Sequence, residues 1–264
     1  RNKAMALLLG PSGVGLMGLY GSIIDLTQTL AGLGISPSGV RQIAEATATQ
    51  DEDRIARTTL MLRRVSVALG ILGAVLLGLL ALPVAQFTFG DGSHAVAVGL
   101  LGIAVCLQLV SAGQMALVQG MRRISHLAQI TMLGAFFSTA IGIPMVYFFG
   151  EAGIVPAFIA MAVASLATSW WYARQIRIKP TVMSAREVGQ EATALLKLGV
   201  VFMASAFLTT GAAYAIRLIV LKHAGFEAAG LYQAAWALGG LYAGFILQAM
   251  GTDFFPRLTA VAND

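Results

Sequence analysis

Two ionisable side chains stand inside stretches that otherwise carry no charge: Asp25 at the middle of residues 14–35, and Arg217 toward the end of residues 198–221. A carboxylate facing lipid at that depth costs at least about 2.5 kcal/mol even on insertion scales, so Asp25 must face a cavity or a partner. Arg217 precedes Gly225 by eight residues, roughly 12 Å along a helix. From there it either points into a central cavity or snorkels to the headgroups. Arg1 and Lys3 reach a similar depth if residues 1–9 are the end of a first crossing. Cations in a dry cavity favour an anionic cargo, and a carboxylate beside them suits a polar contact or a coupling ion.

Other patterns suggest chemistry and do not carry it. Gly13, Gly15 and Gly18 form G-x-G-x-x-G within "GPSGVGLMGLY". A dinucleotide loop needs a strand before it and an acidic residue about 20 positions on, and neither is present. "DED" at Asp51–Asp53 matches the D-x-D by which many glycosyltransferases hold a metal and a sugar nucleotide. Its position before "RIARTTLMLRR" fits a helix cap and first turn instead, and a connection of this length cannot fold a nucleotide-sugar domain. The single cysteine, Cys106, lies in an apolar run and reads as a core filler. His94, His126 and His223 lack metal-ligand spacing and read as solvated loop or interface residues. These patterns predict no catalytic residue, no metal and no cofactor.

The elements that must position Asp25 and Arg217 follow from composition. Of the 264 residues 58% are hydrophobic and only 11% charged, against about 25% charged in soluble domains. Seven apolar runs, near 14–35, 65–89, 95–119, 127–149, 152–172, 198–221 and 230–251, are each long enough to cross a hydrocarbon core of about 30 Å. Unpaired amides are costly in lipid, so continuous apolar runs of this kind are helices and not strands of a barrel. The expected fold is an all-α, polytopic membrane helical bundle. The connection 36–64 reads as one or two amphipathic helices on the membrane surface. Arg41, Arg54, Arg57, Arg63, Arg64, Arg122, Arg123, Arg174, Arg177, Lys179, Arg186, Lys197 and Arg257, 13 of the 17 basic residues, fall on one side of the bundle, and Lys222 alone falls opposite. The basic side is therefore cytoplasmic. The net charge of +5 reports that topology, so no nucleic-acid partner is expected.

"LLLGPSGVGLMGLYG" laid over "LKHAGFEAAGLYQAA" superposes Gly10 on Gly225 and Gly15 on Gly230, with Arg1 and Arg217 one position apart. This weak repeat, offset by about 215 residues, suggests two like-oriented lobes. Its glycines suit tight turns and close helix contact. The chain then reads as a fragment, from the end of helix 1 to helix 8. Residues 1–179 form an N-terminal lobe and 180–264 begin a C-terminal one.

Residues 7–46, "LLLGPSGVGLMGLYGSIIDLTQTLAGLGISPSGVRQIAEA", resemble the first helical hairpin of the Wzx-type polysaccharide and O-antigen flippases. These belong to the multidrug/oligosaccharidyl-lipid/polysaccharide exporter superfamily. Residues 228–259, ending in Phe255-Pro256-Arg257-Leu258, resemble that family's seventh-to-eighth-helix region. The resemblance implies two lobes of six helices in a bacterial inner membrane. It implies transport of undecaprenyl-pyrophosphate-linked oligosaccharide between leaflets by alternating access, for surface polysaccharide or lipopolysaccharide synthesis, with polymerase machinery as a partner besides membrane lipids. Arg217, Arg1 and Lys3 would then meet pyrophosphate and sugar acids, and Asp25 would be a polar or ion-coupling residue. A drug/cation antiporter of the same superfamily should carry more cavity carboxylates than cations. A membrane-embedded glycosyltransferase would need an acid/base constellation that only "DED" could supply.

Overall fold

The computed structural model describes residues 2–48, 51–176 and 185–261. All of the regular structure among them is helical: α1 (Asn2–Ala31), α2 (Ile35–Ala48), α3 (Glu52–Leu79), α4 (Ala81–Phe89), α5 (Ala95–Gly120), α6 (Ile124–Phe149), a 3-10 turn (Gly150–Gly153), α7 (Ile154–Ala173) and α8 (Ala185–Val261). Five helical stretches of the described residues are long and apolar enough to cross a membrane. The bundle is therefore an all-α membrane fold, as the apolar runs require.

α1 and α8 are not single rods. Each breaks at one glycine, Gly10 at φ 67°, ψ −178° and Gly225 at φ 81°, ψ −178°, a region that residues with a Cβ avoid. Arg217 and Gln233 are sixteen residues apart and hydrogen-bonded, whereas a straight helix would separate them by about 24 Å. The two arms of α8 thus fold back on each other across Gly225 without a loop. Met5 and Met17, on either side of Gly10, likewise line one small cavity. Pro11 opens the second arm of α1, where its missing N–H is no loss.

The connection 36–64 divides otherwise than expected. Its first part is α2, but α3 starts at Glu52 and runs unbroken to Leu79, so "RIARTTLMLRR" is the start of a membrane-crossing helix. Asp51 is the N-cap of α3, its Oδ1 accepting from the Arg54 N–H at 2.8 Å. The expected run 65–89 is interrupted at Leu80, which separates α3 from α4.

α3, α5 and α7 pack side by side through small residues. A methyl at Gly70 or Gly102 would press on the Cys106 or Ala74 backbone near 3 Å, the close approach that small residues allow in membranes. α5 and α7 are also cross-linked by hydroxyls. Ser111 Oγ lies 2.9 Å from Ser165 Oγ and 3.0 Å from Ser169 Oγ, and Ser169 Oγ donates to Gln114 Oε1 at 3.1 Å. α8 lies along α1 and touches α2 and α3. The expected lobe boundary at residues 179 and 180 lies outside the described residues.

Candidate functional site

The candidate site lies where α1 and α8 face each other. Two close approaches bracket it. At one end, a methyl on Gly230 would run into the Pro11 carbonyl oxygen, and one on Gly15 would meet the Phe226 carbonyl oxygen at 2.5 Å. At the other end, Gly34 and Gly199 abut backbone to backbone, and Ser38 Oγ donates to the Leu195 carbonyl at 2.7 Å.

Between these seals Arg217 is turned inward and half-buried. Its Nε donates to Gln233 Oε1 at 2.8 Å and its Nη1 donates to Ser22 Oγ at 2.7 Å. Ser22 is buried and donates its own proton to the Gly18 carbonyl at 2.8 Å, which leaves its lone pairs for the guanidinium. The polar partners of Arg217 thus come from the second arm of α8 and from α1. The guanidinium has further N–H groups beyond those two bonds.

Asp25 follows Ser22 by about one helical turn, on nearly the same face of α1. Asp25 is exposed and makes no direct ion pair with Arg217 among the described residues. It lines a cavity of about 300 Å³ with Gln28, Thr29, Ser36 and Thr210. Gln28 donates through Nε2 to Gln108 Oε1 of α5, and the hydroxyls of Thr29 and Thr210 are 3.4 Å apart across the α1–α8 seam. The carboxylate, the amide and the hydroxyls give this cavity polar walls, while the Arg217 guanidinium lies outside its lining, held by Ser22 and Gln233 on the same α1–α8 seam. Such a site offers an anion a charge-assisted contact and leaves a carboxylate free for a cation or a hydroxyl.

Of the other expected site residues, only Lys3 is described, and it is not tied to this cluster. Lys3 is exposed at the start of α1, whose neighbour Met5 is buried near Gly142 of α6. No hydrogen bond or ion pair among the described residues ties Lys3 to Arg217 or Asp25. Arg1 lies outside the described residues. The expectation for His94 is corrected: it is half-buried, its Nδ1 is 2.9 Å from the Tyr20 hydroxyl, and its ring lies 4.2 Å from that of Phe89. Ser22, Gln233, Gln28 and Gln108 escape sequence reading because neutral polar residues mark a membrane helix only weakly. Among the described residues, no group of three His, Cys, Asp or Glu side chains could hold a metal.

Helical hairpins packed in this way make an all-α bundle of membrane-crossing length. The fold superposes on the inward-facing conformation of a multidrug resistance MATE family transporter of the MOP superfamily with a TM-score of 0.68, at 17% sequence identity, covering 90% of this chain and 57% of that one. The chain thus spans little more than half the length of that transporter. Residues 4–264 match the polysaccharide biosynthesis protein family, and the chain belongs to it. Comparison with curated proteins returns no match.

Proposed function

We propose that the protein is a flippase that carries an undecaprenyl-pyrophosphate-linked oligosaccharide across the bacterial inner membrane for surface polysaccharide synthesis. The observation that carries this reading is the inward-turned Arg217 guanidinium, bonded to Ser22 and Gln233 beside Asp25. A cation held among apolar helices meets an anionic cargo at low dielectric, where the interaction is strong. Membership of a polysaccharide biosynthesis family supports a saccharide cargo, and the transporter fold favours translocation over catalysis.

In this reading residues 1–179 belong to one lobe and 180–264 begin the second, and the matched glycine breaks at Gly10 and Gly225 support that division. Rocking of the lobes would open the Gly15–Gly230 and Gly34–Gly199 seals in alternation, passing the pyrophosphate by Arg217 while the glycan crosses the polar lining. Asp25 would take sugar hydroxyls or a coupling ion. The single carboxylate beside the guanidinium disfavours a cationic drug as cargo. O-antigen is one glycan this chemistry would accommodate.

The test compares Arg217 with Ala, Gln and Lys in the full-length protein, scored as outer-leaflet lipid-linked sugar at matched expression. Arg217→Ala should abolish export, since loss of a desolvated charge contact costs about 2–5 kcal/mol. Lys should rescue in part, for it keeps the charge without the bidentate fork. Full export by Arg217→Gln would remove the residue from the site and overturn the reading.

A further inference from the structure

A second concave surface opens on another face of α1. Ile23, Leu26, Thr27 and Leu30 recur at helical spacing, and with Leu72 and Leu76 of α3 and Phe87 of α4 they enclose a trough of about 620 Å³. The polar cavity uses Asp25, Gln28, Thr29 and Gly32 instead, so the two surfaces are separate. Tyr214 of α8 closes one side of the trough, its hydroxyl 2.6 Å from Thr88 Oγ1 and thus already engaged. The walls are otherwise almost wholly apolar.

One end of this trough carries a charge. Lys222 of α8 reaches across to α4 and places its Nζ 4.7 Å from the centroid of the Phe87 ring. The side chain is exposed, and no ion pair among the described residues neutralises it. It is also the one basic residue on its side of the bundle by the sequence reading. Stacking on Phe87 fixes the ammonium over the mouth of the trough. An apolar channel ending beneath a fixed, unneutralised cation is complementary to an amphiphile with a long chain and an anionic head.

We infer that this trough is the seat of an anionic glycerophospholipid of the surrounding leaflet, with an acyl chain along α1 and α3 and its phosphate on Lys222. A neutral lipid would fill the channel but leave the ammonium without a counter-charge. Because the walls come from α1, α3 and α4 while Tyr214 and Lys222 come from α8, the bound lipid ties α8 to α4. It favours the arrangement in which Tyr214 meets Thr88.

The experiment uses delipidated protein in detergent, with native mass spectrometry reading bound lipid and thermal melting reading stabilisation. Phosphatidylglycerol should bind about fivefold more tightly than phosphatidylcholine of the same chains, the preference one basic residue confers near a membrane surface. Lys222→Gln, a change at an exposed position, should erase that preference without changing the melting point of the lipid-free protein. Leu72→Trp, which fills the trough, should weaken both lipids, while Arg174→Gln, at the C-cap of α7, should leave the preference intact. Equal binding of the two lipids, or a preference that survives Lys222→Gln, would overturn the inference. So would competition by glycerol phosphate alone, which would reduce the site to a headgroup contact, or displacement by polyprenyl phosphate, which would give the trough to the cargo.

Discussion

Gly15 and Gly230 lie against each other with no room for a methyl group between them, each pressed on the backbone that leads into the other's helix. This contact closes one end of the α1–α8 seam and holds Ser22 of one helix at 2.7 Å from Arg217 of the other. A glycine requirement of this sort is steric and has nothing to do with phosphate.

Gly230→Ala should therefore destabilise the α1–α8 packing by about 1–3 kcal/mol, the usual cost of overpacking. Gly239→Ala on the same helix, where a Cβ meets nothing within 4 Å, should be close to neutral. Thermal melting of the two variants in detergent makes the comparison; equal midpoints would show that the seam yields easily.

Gly225→Ala tests a different cost. No atom crowds that position, but its φ of 81° with ψ of −178° is strained for any residue with a Cβ, by about 1–3 kcal/mol. The expected loss is therefore of conformational origin, and because this extended backbone at positive φ lies outside the αL region that Asn tolerates, Asn should lose about as much as Ala in the same melting assay.

Asp51 caps α3 through its side chain. Asp51→Asn together with Asp53→Asn should leave surface-glycan export intact, because Asn also accepts from a first-turn N–H. Asp51→Ala should lower stability by about 1 kcal/mol. Lost export at normal protein level in the double Asn variant would return weight to an enzymatic or gating role.

The partners of Arg217 can be weighed separately. Ser22→Ala and Gln233→Leu each remove one hydrogen bond to a charged group, worth about 1.5–3 kcal/mol, and each should reduce export less than Arg217→Ala does. If either matched Arg217→Ala, the serine or glutamine would be the group the cargo needs.

Topology is open to a direct measurement. In a background lacking Cys106, cysteines at Gly92, in the turn between α4 and α5, and at Ala185, at the start of α8, should be labelled from opposite faces of the membrane, Gly92 from outside. Labelling of both from one face would break the assigned order of crossings.

What could be read beforehand was whatever lipid imposes on a chain. Apolar length dictated helices over 95–119 and 127–149, and α5 and α6 lie there. The repeat around Gly10 and Gly225 was legible because glycine alone takes that backbone. The break at Leu80 was not, since "LLGLLALPVAQF" is apolar throughout and Pro83 sits in the first turn of α4, where proline is tolerated. Pairings across the bundle were also hidden: Tyr20 and His94 are 74 positions apart and Ser22 and Arg217 are 195 apart, and no local pattern encodes such distances. Lys3 shared its charge with Arg217 but not its surroundings, which only packing decides.

The two glycine breaks and the contact beside them are matched in position. Pro11 meets Gly230 while Phe226 meets Gly15, and both pairs exchange roles under the same offset of about 215 residues that the internal repeat displays. Role-swapping of this kind defines an isologous interface, the self-complementary patch of a two-fold dimer. Within one polypeptide the two halves of the seam thus present the same patch to each other, so a change at Gly15 and the matching change at Gly230 should disturb the contact that Arg217 sits beside in equivalent ways.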